Sequence, residues 1–266
     1  MLTNGKKLPN LTKIIFSRTA EIFLGTGLPV LGFFCAFNSD TSYADLLLFY
    51  PFLILCAWHI IYINDLTFKN YSFSFQKLFT KPNSFFLLLL ILGILFRPLL
   101  FFLLLFIVLN WDYYSIHGKR NCISGLFCHF LGGTSHFVIG VILAQGRVIG
   151  FISCILYFGF AMISGSMHHD SLHVSEDRTH GFNTGAVCYG RKKWWQFSIL
   201  PMTIAQFFLL FTDTYFSLIF FIAYLLYLFL YLFYISKEKD WGKFRMLSRL
   251  LFAGAGIVYL IIKCYF

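Results

Sequence analysis

The sequence predicts an all-α, polytopic membrane protein. Of its 266 residues 59% are hydrophobic and only 12% charged, too few charges to cover a soluble surface of this size. Mean hydropathy is +0.75. The apolar residues, 36 phenylalanines among them, gather in repeated runs close to the length a helix needs to cross a bilayer.

The N-terminal MLTNGKKLPNLTKIIFSR is polar and basic, with no apolar stretch before a cleavage site, so no cleaved signal is expected. Apolar runs then place spans at 15–37 and 45–63. The run from Phe85 to Leu109 could be one span, but Arg97-Pro98 interrupts it. Pro98 suits the first turn of a helix and breaks the one before it, which gives two spans, 84–96 and 98–110. Further runs place spans at 122–144, 147–165, 194–212, 214–235 and 249–266, nine in all. The whole chain, 1–266, reads as one membrane domain.

Charge supports nine rather than eight. With nine spans, the N-terminus and the segments 64–83, 111–121, 166–193 and 236–248 share one side. That side, with flanking Arg249, carries all the lysines and arginines except Arg97, Arg147 and Lys263. Positive loops face the cytoplasm, so the N-terminus is expected inside and the C-terminus on the opposite side of a bacterial inner or organellar membrane. The net charge of +10 is thus a topology signal and implies no nucleic-acid partner. The seven cysteines contain no CxxC pair and mostly lie in apolar runs, as small buried hydrophobes do.

Two inner segments, 64–83 and 166–193, are long enough to suggest function. The first opens with Asn64 and Asp65 at the end of the second span, near the membrane surface, where a carboxylate is costly unless paired or metal-bound. The second holds HHDSLHVSEDRTHGFNTG at 168–185. If the sixth helix continues through it, His169, Asp170, His173 and Asp177 share one face, Glu176 flanks them and Gly181 stops the helix. Such oxygen donors suit Mg²⁺, which takes carboxylates plus substrate phosphates, whereas the imidazoles would suit Zn²⁺ better. Lys119, Arg120 and Arg178 lie on the same side, and Arg191, Lys192 and Lys193 follow. Acids for a divalent ion and cations for phosphate oxygens, above an apolar bundle, are what a lipid diphosphate needs. Taken singly, each feature also reads as a helix end, a wet loop or a topology charge.

These residues resemble the UbiA superfamily of intramembrane prenyltransferases over nearly the whole chain. HVSEDRTHGFNTGAVCYG is similar to the family's second motif, Asp-x-x-x-Asp-x-x-x-Gly-x-x-Thr, in Asp177, Gly181, Thr184, Ala186, Val187 and Gly190, with His173 at the first Asp position. INDLTFKNYS resembles the first motif, Asn-Asp-x-x-Asp-x-x-x-Asp, only in Asn64 and Asp65, because Phe68 and Ser72 stand at the later Asp positions. YYSIHGKR resembles the Tyr-Ser…Lys-Arg loop after the fourth helix.

The resemblance implies a nine-helix bundle around a lipid-open cavity and a Mg²⁺-dependent transfer of an isoprenyl group from an isoprenyl diphosphate to an acceptor. It implies Asp65, Asp170 and Asp177 as catalytic residues, with His173 joining them as metal ligand. Asn64, Lys119, Arg120 and Arg178 would hold the diphosphate. Quinone precursors, tetrapyrroles, glycerol phosphates and sugar phosphates are all acceptors in the superfamily, and membrane lipids surround the site. Three alternatives stand beside this reading: an inactive UbiA-like lipid-binding scaffold, a phosphoribosyltransferase-like enzyme or terpene cyclase, and a metal transporter using His168, His169, His173 and His180.

Overall fold

The computed structural model describes residues 25–38, 41–68, 89–91, 93–94 and 97–265. The expected N-terminal segment, most of the expected third span and the inner segment from 69 to 83 lie outside the described residues. All regular structure among the described residues is helical.

Helix α1 covers Gly25–Ala36, the described part of the first expected span. Helix α2, Tyr43–Phe68, runs one turn past the expected end, so Asn64 and Asp65 sit inside its last turns. Helix α3, Pro98–Ile116, opens with Pro98 in its first turn as anticipated. Residues 89–91 and 93–94 are helical too. A Cβ on Gly93 would overlap the Phe101 ring, whereas one straight helix would separate these residues by about 12 Å. The chain therefore bends ahead of Pro98.

Helix α4, Cys122–Leu143, matches its expected span; the Asn121 side chain caps it by accepting from the Ile123 and Ser124 amides. Helix α5, Ile152–Leu172, follows a 3₁₀ turn at Val148–Phe151. Short helices α6 (Val174–Thr179), α7 (Gly185–Tyr189) and α8 (Arg191–Phe197) fold over its end, and α9 (Ile199–Leu209) re-enters the bundle.

The expected span 194–212 is thus two helices meeting at Ser198. Pro201 has no amide to bond the Phe197 carbonyl, and the Ser198 hydroxyl lies 2.6 Å from the Trp195 carbonyl, which loosens the turn. Helices α10 (Thr214–Tyr234, capped by Asp213) and α11 (Trp241–Tyr265) close the chain.

Six described stretches are long and apolar enough to cross a membrane: 43–65, 98–120, 122–143, 148–172, 214–234 and 238–265. The count of nine rests on the sequence. Helices α2 and α3, α3 and α4, α4 and α5, and α10 and α11 pack side by side, and α9 returns to pack on α5. Helix α1 packs on α4, where a Cβ on Gly140 would come within 2.5 Å of the Phe33 amide nitrogen. The core is strongly aromatic, with Phe216 and Phe220 stacked at 4.4 Å and Tyr157 edge-on to both. Large apolar side chains such as Leu47, Phe102, Phe211, Phe229 and Leu232 face outwards, as lipid-facing helix surfaces do. All seven cysteines are free.

Candidate active site at the bundle mouth

The chain arranges its polar groups at one end of the bundle by breaking helix α5. A continuous helix from α5 to Gly181 does not form. His173 leaves the helical region (φ −109°, ψ 16°) and its amide bonds the Asp170 carbonyl three residues back. The expectation that His169, Asp170, His173 and Asp177 share one straight face is therefore corrected. The break turns α6 back over the mouth, so Asp177 becomes buried at 3% exposure instead of projecting into water. Gly181 ends α6 as anticipated: its φ of +70° is left-handed, which glycine alone adopts cheaply.

Three hydrogen bonds lock the returning strap. The Phe182 amide donates to the Asp177 carbonyl at 2.9 Å, and the Asn183 amide donates to the Lys119 carbonyl at 2.9 Å. The Thr184 hydroxyl donates to Asp177 Oδ2 at 3.0 Å, with both side chains buried.

Lys119 sits in the 3₁₀ turn Gly118–Arg120 that follows α3, and it is only 3% exposed. Its ammonium donates to Asn64 Oδ1 at 2.6 Å and lies over the Tyr114 and Phe182 rings at 5.2 and 5.6 Å. It also lies within the electrostatic reach of Asp177, Asp170 and Asp65, in that order of strength. Asp170, at 9% exposure on the last turn of α5, feels Asp177 and both Lys119 and Arg245. Burial pushes the Asp177 carboxyl above its ordinary range; the Thr184 hydrogen bond and the Lys119 charge oppose the shift without cancelling it.

The structure thus brings Asn64, Lys119, Asp170 and Asp177 to one mouth, with Asp65 beside them. Arg120 and Arg178 are exposed at the rim. His173 pairs through Nδ1 with Glu176 at 2.7 Å, and its ring lies 4.4 Å from that of His169. Arg191 is committed elsewhere, donating to the Ser171 carbonyl at 2.9 Å and covering the Trp241 ring.

The other two histidines of this segment stand apart from the His169–His173 pair. His168 is buried 2.7 Å from the Ser198 hydroxyl, and His180 donates through Nδ1 to the Glu176 carbonyl at 2.6 Å. His59, inside the second span, pairs with Asp112 of α3 at 3.2 Å, both buried.

Two residues of this neighbourhood carried no expected role. Thr184 stood in the motif, but only folding shows that it holds Asp177. Arg245 lies 68 positions beyond Asp177, among charges that serve topology, and left no local signal.

Among the described residues no three His, Cys, Asp or Glu side chains converge into a group able to hold an ion alone. That disfavours a closed zinc site, which needs four protein ligands. Two buried carboxylates within each other's field, Asp170 and Asp177, nonetheless suit a cation whose remaining ligands come from elsewhere. Mg²⁺ binds in that manner, through one or two carboxylates plus phosphate oxygens.

No family profile matches the sequence, and no curated protein matches it. Solved structures do. A structure of digeranylgeranylglyceryl phosphate synthase aligns with a TM-score of 0.68 at 16% identity, covering 94% of this chain and 96% of that one. A UbiA homologue from Archaeoglobus fulgidus aligns with a TM-score of 0.70 at 15% identity, over 94% and 99% of the two chains. The same homologue bound to GPP and Mg²⁺ gives 0.66 at 14%, over 93% and 99%. Over about 94% of its length, the chain has the helical membrane fold of the UbiA homologues.

Proposed function

We propose that this protein is a UbiA-type prenyltransferase, which moves an isoprenyl group from an isoprenyl diphosphate to an acceptor with Mg²⁺ as cofactor. The observation that carries the proposal is the convergence of Asn64, Lys119, Asp170 and Asp177 at the mouth of a bundle whose structural neighbours include a complex with GPP and Mg²⁺. The N-terminus is assigned to the cytoplasmic side and the C-terminus to the other, on the charge asymmetry of the loops.

Asp170 and Asp177 would hold the metal on the α5–α6 side, with His173 at the edge, while Asp65, across the mouth on α2, would face the Lys119 ammonium. The metal supplies positive charge to the diphosphate. Lys119 binds a phosphate oxygen from a fixed position, oriented by Asn64. Arg120 and Arg178, exposed at the rim, draw the anionic head group in. These cations stabilise negative charge that grows as the carbon–oxygen bond breaks, where such contacts accelerate most. The apolar bundle beneath takes the isoprenyl chain and excludes water from the allylic cation until the acceptor captures it. Thr184 keeps Asp177 aimed at the mouth.

Purified protein with labelled isoprenyl diphosphate and Mg²⁺ should release diphosphate. Release unchanged in Asp177→Ala and Asp65→Ala would rule out the assigned roles. One observation favours a second reading, that of an inactive lipid-binding scaffold: Phe68 and Ser72 occupy two acidic positions of the first motif. Lipid binding without diphosphate release across a broad acceptor panel would select it.

A further inference from the structure

We infer that Lys119 acts as a built-in cation of the diphosphate site, so that the site takes one divalent ion, on the α5–α6 side, rather than an ion on each side of the mouth. The inference deepens the prenyl-diphosphate reading and rests on it.

The two sides of the mouth offer different chemistry. On the α5–α6 side two buried carboxylates, Asp170 and Asp177, lie within each other's field, and Thr184 fixes the second. On the α2 side Asp65 is the only carboxylate among residues 60–72. Position 68, one turn further, is a phenylalanine and offers no oxygen donor. Asn64, the neighbouring oxygen donor, already accepts the Lys119 ammonium at 2.6 Å.

A second divalent ion at Asp65 would therefore have few protein oxygens among the described residues. It would also stand beside a buried ammonium, whose repulsion is poorly screened at 3% exposure. The ammonium already supplies positive charge there. Asn64 and the Tyr114 and Phe182 rings hold the ammonium, and the Asn183 amide holds the backbone carbonyl of the same lysine. A cation held in this way needs no reorganisation when the diphosphate arrives.

The test is a count of bound Mn²⁺ by electron paramagnetic resonance on the full chain in detergent. The probe is geranyl diphosphate with sulfur in place of the bridging oxygen, which binds without reacting. The expected result is one Mn²⁺ per chain in the wild type. Asp177→Asn should abolish it, while Asp65→Asn should keep it with affinity changed less than threefold. Lys119→Met should keep the Mn²⁺ count but weaken analogue binding at least about thirtyfold, in line with a lost charge-assisted contact. Lys119→Arg, which retains the charge, should recover part of that loss and covers the case in which the Met variant misfolds. Two Mn²⁺ per chain with analogue bound, or loss of Mn²⁺ in Asp65→Asn, would overturn the inference and leave the prenyl-diphosphate reading standing. Absence of analogue binding with Mn²⁺ present would remove that reading, and the inference with it.

Discussion

Thr184→Val removes one hydroxyl from the buried mouth and keeps the shape of the side chain. The hydroxyl donates to Asp177 Oδ2 at 3.0 Å, with Thr184 4% exposed and Asp177 3% exposed, so no solvent replaces the lost bond. A hydrogen bond to a charged group contributes ~1.5–3 kcal/mol, which converts to roughly 10- to 150-fold in an equilibrium constant. Loss of a residue that orients a metal ligand costs a similar ~10- to 100-fold in metal affinity. The Asp177 carboxylate should swing and its proton affinity should rise further, because the Thr184 bond is the strongest influence lowering it. Mn²⁺ affinity, titrated calorimetrically with an unreactive isoprenyl diphosphate analogue present, should fall by one to two orders of magnitude. Thr184→Ser should restore most of it. A Thr184→Val protein that binds Mn²⁺ within threefold of wild type would refute the idea that Thr184 positions Asp177 for a metal.

In metal-free protein at neutral pH, Asp177→Asn should raise the unfolding temperature. The folded carboxyl has a pKa above its ordinary 3.8, so charging it costs folding free energy, a cost present above the raised value and gone below 3.8. The gap between variant and wild type should close as pH falls through that window, and Mn²⁺ should stabilise the wild type alone; a wild type more stable than the variant at neutral pH without metal would contradict this. Asp112→Ala should lower stability in detergent by ~2 kcal/mol, because it takes a buried hydrogen-bond partner from His59. The double variant His59→Leu, Asp112→Leu should lose less, and a loss as large as that of Asp112→Ala would show that the orphaned His59 is not the source of the cost. Gly140→Ala should cost ~1–3 kcal/mol by forcing α1 away from α4, since its Cβ would sit 2.5 Å from the Phe33 nitrogen; an unchanged unfolding temperature would show that the crossing is loose.

Hydropathy and charge placed this chain in a membrane as an all-helical bundle, because a span must satisfy its backbone internally and bury apolar length wherever it occurs. The helix start at Pro98 and the stop at Gly181 were legible for the same local reason: proline and a left-handed glycine act within one turn of themselves. Asp65, Lys119 and Asp177 could be singled out because charged groups are rare in an apolar chain, and Asn64 because it stands beside one of them.

Their geometry could not be read in the same way. Periodicity extended α5 straight through His173, since nothing local forbids a helix there. The fold that follows the break is held in part by a partner far along the chain, through the Asn183 amide on the Lys119 carbonyl. The His59–Asp112 pair joins residues 53 positions apart, and the Lys119–Asn64 bond joins residues 55 apart. In both cases each residue alone reads as a helix end or a packing defect. Sequence determined which groups this protein owns and the medium that holds them. Tertiary packing alone decided which of them meet, because contacts between helices depend on rotations and crossings that local composition does not encode.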